Sequence, residues 1–197
     1  MGTSERRQRE KEQIRTAILE KAWDLVQTEG WDALSIRKIA DAIEYSVPVI
    51  YDHFANKEAI LSEIATEGFR KLSKQVAAAK KKQKTPVDQL KAMADAYWNF
   101  ALKNPDYYRL MFGVGMPCCK CGMEDQDGFE FHVTEAITQQ AARSKYKFTN
   151  VCLKYHTYWS ILHGLVSIKI TEQSPQNQEL NKLVLRDAIE GFIRNLN

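Results

Sequence analysis

The chain has 197 residues, of which 44% are hydrophobic and 27% are charged, and its formal net charge is +3. This is an ordinary globular composition for one large or two small domains. No window reaches the roughly eighteen uninterrupted apolar residues that a membrane span needs, which excludes a membrane-spanning chain. The charged segment 1–13 lacks the apolar stretch of a secretory signal. We therefore expect a cytoplasmic protein with no membrane partner.

The fold class follows from the scarcity of strand signals. The chain contains only five prolines and nine glycines, and alternating β-branched runs are rare. We expect an all-α protein of about nine helices. Residues 1–57 are predicted to form an N-terminal three-helix domain and residues 58–197 a larger helical bundle. Helix four, over residues 57–82, is expected to connect the two.

The first two predicted helices are read from apolar spacing and caps. Helix one runs from about Glu5 to Glu29 and ends at Gly30. Helix two begins after Leu34, with Ser35 as its N-cap. Its apolar positions are Ile36, Ile39, Ala40 and Ile43.

Helix three is predicted from Ser46 to about Phe54, with Ser46 as N-cap. Pro48 falls in its first turn, where the missing backbone N–H has no intrahelical role. Asn56 is the expected cap of helix four, which runs into a lysine cluster at residues 80–84. That cluster is either a solvated helix end or part of a basic surface.

The remaining predicted helices are longer and rich in aromatic residues. A boundary falls near residue 85, and residues 113–128 are expected to form a loop. The predicted helices are Val87–Lys103, a short one from Pro105, Phe129–Arg143, Phe148–Ile170 and Glu179–Asn195.

The stretch 35–57 has the proportions of a helix-turn-helix, because two short helices joined by a tight turn are braced by longer helices. Such a unit places its second helix in the DNA major groove. All of the excess positive charge lies in residues 1–84, which weakly favours a nucleic-acid partner. A small helical bundle without a nucleic-acid partner remains the alternative.

The residues "LSIRKIADAI" and "YSVPVIYDHFANKEAIL" resemble the DNA-binding domain of the TetR family of bacterial transcriptional regulators. The pattern is a Ser before an Ile-rich helix, a third helix ending in Tyr-x-x-Phe, and a Lys-Glu-x-x-Leu start to helix four. The resemblance covers about residues 10–65. It implies a homodimer that binds double-stranded DNA at a palindromic operator and that a small effector releases. The family usually has a glycine at the position of Glu44, which leaves the turn geometry open.

The candidate DNA contacts divide into two chemical groups. Hydroxyls, basic side chains and helix N-termini fix a protein on the phosphate backbone. Apolar side chains can contact only thymine methyls, so this third helix predicts readout of A·T pairs and DNA shape. The candidate DNA-binding residues are Ser35, Arg37, Ser46, Val47, Pro48, Val49, Tyr51, His53 and Lys57. Tyr51 is alternatively a packed aromatic, Phe54 is expected in the core, and Arg6, Arg7 and Arg9 are either a DNA-contacting arm or an uncommitted tail.

The second half carries most of the large aromatic side chains. A bundle interior of this kind is a common ligand pocket, although each aromatic taken singly could be plain core. The candidate pocket residues are Tyr97, Trp98, Tyr108, Met111, Phe112, Phe131, Tyr155, Trp159 and His163. His163 is either a hydrogen-bonded buried histidine or a ligand contact.

The last two helices carry apolar stripes that suit a two-fold dimer interface, or packing within the chain. The resemblance favours the interface. Its candidate residues are Leu162, Leu165, Val166, Leu180, Leu183, Val184 and Phe192.

Three cysteines cluster in "MPCCKCGM", and Cys118 and Cys121 have the spacing of a redox or metal pair. Together with Cys119 they are weak candidates for a metal site, and exposed thiols without a role are the other interpretation. The alternative function is a helical thiol-redox or metal-sensing protein.

The chain lacks a Gly-rich phosphate loop, a nucleophile elbow and a His-Glu-x-x-His pair, so we expect neither catalytic residues nor a cofactor.

Overall fold

The computed structural model describes residues 3–113, 128–144, 150–171 and 178–196. Within these ranges every regular element is an α-helix, which confirms the predicted all-α class. The helices are α1 Thr3–Glu29, α2 Ile36–Ala42, α3 Val47–Tyr51, α4 Lys57–Lys81, α5 Pro86–Lys103, α6 Pro105–Phe112, α7 Phe129–Arg143, α8 Val151–Thr171 and α9 Gln178–Arg194. Among the described helices, none combines the length and apolar character needed to cross a membrane.

The chain divides into two compact units, Met1–Glu67 and Gly68–Asn197. The division falls inside α4, ten residues beyond the boundary expected after residue 57. Helix α4 therefore contributes residues to both units. We call the first unit the head and the second unit the bundle.

The head consists of three helices and the first part of α4, and local signals set where they begin. The Ser35 hydroxyl accepts a hydrogen bond from the Lys38 backbone N–H at 3.3 Å, which caps α2. Asn56 accepts from the Ala59 N–H at 2.8 Å and caps α4 in the same way.

Helix α3 ends at Tyr51, three residues before the predicted end, although the Phe54 N–H still donates to the Ile50 carbonyl at 2.9 Å. Its Pro48 lies in the first turn, as the sequence predicts. The core of the head comes from all four helices and comprises Ile18, Ala22, Val26, Leu34, Ile39, Ala40, Ile50, Phe54, Ile60, Ile64 and Ala65.

The turn between α2 and α3 uses a left-handed residue that is not glycine. Glu44 has a φ of 59°. The Tyr45 N–H donates to the Ala40 carbonyl at 3.0 Å and the Glu44 N–H donates to the Asp41 carbonyl at 3.2 Å. These two bonds form a Schellman C-cap with Glu44 at the position that usually holds glycine. The turn thus keeps the usual geometry and Glu44 bears the steric cost.

The bundle is built around α5, which packs against α6, α7, α8 and α9. Thr85 caps α5 by accepting from the Asp88 N–H at 3.1 Å, and Pro86 occupies its first turn. Tyr158 of α8 is fully buried and its hydroxyl donates to the Leu90 carbonyl at 2.6 Å. This bond ties α8 to α5, and the apolar core around it includes Leu90, Met93, Phe100, Val133, Ile137, Leu162, Val166, Leu185, Ile189 and Phe192.

One member of the lysine cluster is not a solvated helix-end residue. Lys80 is only 9% exposed and its ammonium group forms an ion pair with Glu135 of α7. Lys81, Lys82 and Lys84 are exposed. The run therefore includes a residue that joins α4 to α7.

Candidate nucleic-acid interface and aromatic cluster

The candidate DNA contacts of the head lie mainly on its surface. Tyr51 is 54% exposed, which excludes the packed-aromatic interpretation. The exposed candidates are Ser35, Arg37, Ser46, Pro48 and Tyr51, and the half-buried ones are Val47, Val49, His53 and Lys57. Phe54 is 4% exposed and belongs to the core, as predicted.

Helix α3 is anchored by buried side chains on one side and offers a small apolar surface on the other. Ile50 is fully buried beneath the helix, while Pro48 is exposed and Val47 and Val49 are half-buried. Ser46 begins the helix without a side-chain capping bond. The Ser46 hydroxyl is therefore not engaged in capping, whereas that of Ser35 is.

His53 lies at the C-terminal end of the helix-turn-helix, in a basic environment. Its Nδ1 is buried and has no hydrogen-bond partner among the described residues. Burial lowers the pKa of His53, and the charges of Lys11 and Arg15 lower it further, while Asp52 acts in the opposite sense. The ring is therefore held in its neutral form more firmly than a free histidine.

Arg15 of α1 is a structural residue that sequence reasoning missed. Its guanidinium lies 4.5 Å from the centre of the Phe54 ring and pairs with Glu63 of α4 at 3.2 Å. Arg15 follows the apolar spacing of α1 between Ile14 and Ile18. The sequence did contain a signal for this role, because Arg15 is a charged residue on the core-facing side of α1. The long aliphatic part of an arginine side chain commonly packs on apolar surface, such as an aromatic ring.

The aromatic side chains of the bundle form a hydrogen-bonded chain. The Tyr108 hydroxyl lies 3.0 Å from the Tyr97 hydroxyl and 2.6 Å from Nδ1 of His163. Burial lowers the pKa of His163, which favours the neutral ring. The tautomer of that ring sets which group donates in each of the two hydrogen bonds. Burial, chiefly, raises the pKa of Tyr97, while a hydrogen bond with the Trp159 side chain acts against that rise.

Several rings surround this chain, which we call the aromatic cluster. His163 stacks on Trp159 with ring centres 4.9 Å apart and an interplanar angle of 12°, and Phe112 lies 4.8 Å from His163. Phe129 lies 5.2 Å from Tyr97. The members of the aromatic cluster are Tyr97, Tyr108, Phe112, Phe129, Tyr155, Trp159 and His163.

Six of the nine sequence-predicted pocket residues thus lie in the aromatic cluster, namely Tyr97, Tyr108, Phe112, Tyr155, Trp159 and His163. Met111 is fully buried on α6, beside Gly68 of α4. Phe131 is 43% exposed on α7 and contacts the neighbouring His132 instead of the cluster. Trp98 is buried, but no ring contact joins it to the cluster among the described residues. Phe129, which sequence reasoning did not select, takes the place expected for Phe131. The helical spacing of Phe129 with Val133 would have identified it.

Close packing joins α6 to the second part of α4, within the bundle. A Cβ at Gly68 would lie 2.7 Å from Sδ of Met111 and 3.0 Å from Cδ1 of Tyr107. Lys71 donates to the Tyr107 hydroxyl at 2.9 Å and lies 4.4 Å from the centre of that ring. A larger residue at Gly68 would therefore displace α6 side chains that adjoin the aromatic cluster.

Surface clefts occur outside the aromatic cluster in the described part of the chain. One of about 410 Å³ lies on the head and is lined by Glu10, Gln13, Ile14, Ala17, Glu20, Lys21, Ile43 and Tyr45. The other, of about 160 Å³, lies between α5 and α9 and is bordered by the Lys91–Glu190 ion pair. Neither cleft includes a candidate pocket residue.

The predicted dimer residues separate into buried and exposed sets. Leu162, Val166 and Phe192 are at most 4% exposed, and Phe192 packs on Tyr158 at 5.4 Å. These three belong to the core of their own chain, so they do not form an exposed interface. Leu180, Leu183 and Val184 are 57%, 58% and 41% exposed, and Leu165 is half-buried.

Cys118, Cys119 and Cys121 lie outside the described residues, so the proposed thiol or metal site stays a prediction. Cys152 is exposed on α8.

Two family models match the chain in the order of its two units. Residues 18–64 match the model described as bacterial regulatory proteins, tetR family. Residues 90–188, half of the chain, match a tetracyclin repressor-like C-terminal domain.

Individual relatives agree with this assignment. The uncharacterized HTH-type transcriptional regulator YobS of Bacillus subtilis (strain 168) is 31% identical over 91 residues, which are 46% of this chain and 47% of YobS. The match thus spans about half the length of that curated relative.

Solved structures match over nearly the whole chain. A tetR-family transcription regulator from Shewanella sp. PV-4 has a TM-score of 0.67 at 17% identity, over 92% of this chain and 96% of that one. A TetR/AcrR-family regulator from Thermobifida fusca has a TM-score of 0.64 at 20% identity, over 91% and 98% of the two chains. At these identities the structures establish the fold.

A helix-turn-helix head followed by a helical bundle is the architecture of a DNA-binding regulator. The chain belongs to the TetR family of bacterial regulatory proteins, as the resemblance in its first 65 residues predicts.

Proposed function

We propose that this protein is a transcriptional repressor that binds a palindromic operator as a homodimer and leaves it when a small effector binds the bundle. The observation that supports the DNA-binding part most directly is the exposure of Tyr51. Tyr51 is 54% exposed at the end of α3 and half-buried Lys57 begins α4, so both side chains can contact a partner at the surface of the head. The Tyr51 hydroxyl and the Lys57 ammonium suit phosphate oxygens.

Readout of bases is proposed to come from the apolar outer surface of α3. Val47, Pro48 and Val49 offer no hydrogen-bond donor to a base edge. They suit thymine methyl groups, so operator half-sites should contain A·T pairs at these positions. An essential G·C pair under α3 in selected sites would contradict this.

The homodimer is proposed to use the exposed surfaces of α8 and α9, which include Leu180 and Leu183 of the expected interface but not its buried members. Ile168 is 59% exposed, and Leu180 and Leu183 are similarly open. A Cβ at Gly164 or Gly191 would meet no atom within 4 Å, so both glycines lie on open helix surfaces. Exposed apolar side chains beside open glycines suit close contact with a second copy. A Leu180→Glu/Leu183→Glu variant should be monomeric in sedimentation.

The effector is proposed to bind at the aromatic cluster. Because Nδ1 of His163 is hydrogen-bonded to the Tyr108 hydroxyl, a ligand would bind at Nε2, the other ring nitrogen, in either tautomer. The stacked rings of Trp159 and His163 suit a flat, largely apolar molecule with one hydrogen-bonding group. Such a protein would act in the cytoplasm, where its operator lies.

The test is binding of the purified protein to duplexes selected from a random-sequence pool, measured by anisotropy across a salt series. We expect saturable binding that weakens steeply with salt, since phosphate contacts release counterions. A Tyr51→Ala/Lys57→Ala variant should lose at least about tenfold in affinity, because hydrogen bonds to charged groups contribute about 1.5–3 kcal/mol each. An Arg143→Ala variant, at the C-terminal end of α7 in the bundle, is the matched charge control. Binding unaffected by the head variant would contradict the proposal.

A further inference from the structure

The first turns of α1 continue its core-facing stripe with basic residues. The buried positions Ile18, Ala22 and Val26 recur every four residues along one side of the helix. The same side carries Arg7 and Lys11 farther towards the N-terminal end of α1, and both are exposed. The stripe therefore changes from apolar and buried to basic and exposed along a single helix.

This change takes place beside the α3–α4 junction. Arg15, one turn after Lys11, lies over the Phe54 ring and pairs with Glu63, so this side of α1 rests on the end of the helix-turn-helix. Lys11 is also close enough to His53 for its charge to lower the pKa of that histidine. The basic side of α1 is thus next to the proposed phosphate contact His53.

The other arginines in the first turns of α1 lie on different sides of the helix from Arg7 and Lys11. Arg6 and Arg9 lie about 100° and 160° around the helix from Arg7, given 3.6 residues per turn. The Arg9 side chain donates to the Glu5 carbonyl at 3.4 Å. The acidic residues Glu10 and Glu12 flank the Arg7 and Lys11 positions on the two sides, so the positive surface is narrow.

We propose that Arg7 and Lys11 form a second contact surface for backbone phosphates of the DNA that flanks each half-site, in continuity with Tyr51, His53 and Lys57. The proposal rests on the proposed function of the head. Arg7 and Lys11 are one turn apart, about 6 Å along the helix axis. Two cations at this spacing suit successive phosphates of one strand, and such contacts strengthen binding without reading sequence.

The experiment compares two variants that each remove two positive charges from the same helix segment. Arg7→Gln/Lys11→Gln removes the proposed contacts, and Arg6→Gln/Arg9→Gln is the matched control on the other sides of α1. Anisotropy is measured across a salt series on a selected operator duplex. One duplex ends at the half-site edges, and the other extends about one helical turn, or 10 base pairs, beyond each edge.

On the extended duplex, Arg7→Gln/Lys11→Gln should reduce the slope of log K against log salt by about 0.9 for each lost phosphate contact. The Arg6→Gln/Arg9→Gln slope should stay near that of the unchanged protein. On the short duplex, the difference between the two variants should disappear. Circular dichroism should be the same for all three proteins, because the substituted side chains are exposed.

Equal slopes for the two variants on the extended duplex would overturn the inference while leaving the proposed function intact, because diffuse charge would then account for any loss. Loss of the same size on the short duplex would also overturn it. Absence of saturable binding by the unchanged protein would overturn the proposed function and this inference together.

Discussion

The head and the bundle use their aromatic residues in opposite ways. In the head, Tyr51 is exposed beside the polar candidates for DNA contact, and the core beneath α3 depends on Ile50 and Phe54. In the bundle, Tyr97 and Tyr108 are buried and their hydroxyls bond to each other. The head therefore presents its candidate site on a surface, whereas four of the seven rings in the aromatic cluster of the bundle are buried.

The two sites should therefore respond differently to substitution. A surface site can lose function with little loss of stability, because exposed substitutions change the free energy of unfolding only slightly. A buried site couples function to packing, so most substitutions there alter both. Substitutions in each unit can test this contrast.

The head should be most sensitive beneath α3. Ile50→Ala should lower the free energy of unfolding of the head by about 4 kcal/mol, since Ile50 is fully buried. Val49→Ala, on half-buried Val49 of the same helix, should cost far less and still weaken DNA binding. Thermal melts followed by circular dichroism, together with anisotropy, separate the two effects. Equal melting temperatures for the two variants would contradict the prediction.

Two phenylalanines of α7 provide the corresponding comparison in the bundle. Phe129→Ala should lower the free energy of unfolding by about 3 kcal/mol, because it removes a buried ring next to Tyr97 and Tyr155. Phe131→Ala should cost about 0.5 kcal/mol or less, since Phe131 is 43% exposed. Urea unfolding measures both. A larger loss for Phe131→Ala would mean that the aromatic cluster is not the packed centre of this end of the bundle.

The turn of the helix-turn-helix stores a modest steric cost at Glu44. Glu44→Gly should raise the free energy of unfolding of the head by about 1 kcal/mol, because glycine adopts a positive φ without a Cβ clash. Glu44→Ala keeps the Cβ and should give no comparable gain, which makes it the control. The measurement is the urea midpoint of each variant. Equal gains for both would point to the carboxylate charge instead of the backbone conformation.

The half-buried His163 should make the bundle sensitive to acid. The pKa of His163 is lowered on folding, so between the folded value and the ordinary value of 6.5 the unfolded chain binds more protons. The stabilising contribution is therefore complete above about pH 6.5 and is lost as the pH falls through the folded pKa.

The matched variant is His163→Asn, which keeps an acceptor near Tyr108 but does not titrate. Because His53 also has a lowered pKa, His53→Gln is the control for the head. Urea midpoints measured from pH 7.5 to pH 5 should fall less for His163→Asn than for the unchanged protein. An unaltered pH profile in His163→Asn would contradict the role of this ring.

Much of the helix layout was predictable from local sequence. Caps and first-turn prolines act within a few residues, so Ser35, Asn56 and Pro48 marked helix starts that the structure confirms. The bounds of Phe129–Arg143 were also correct. The family pattern in residues 35–61 was equally local, which is why the head could be assigned from sequence.

The orientation of side chains across helices was not predictable in the same way. Phe131 was expected in the interior and Phe129 was overlooked, although they are two residues apart on one helix. Neighbours from α5 and α8 decide which of the two is buried. Lys80 similarly belongs to a run of lysines whose sequence suggests a solvated helix end, but it pairs with Glu135 of α7, which is distant in the chain.

Local sequence patterns specified most of the helices, several of their caps, the helix-turn-helix and the family. The tertiary structure alone decided the left-handed backbone at Glu44, the hydrogen-bonded chain from Tyr97 to His163, and the burial of Leu162 and Phe192 that moves the proposed dimer surface. The physical reason is the distance along the chain over which each interaction acts. Caps and helix propensity act over a single turn, whereas burial and side-chain partners depend on residues far apart in the chain.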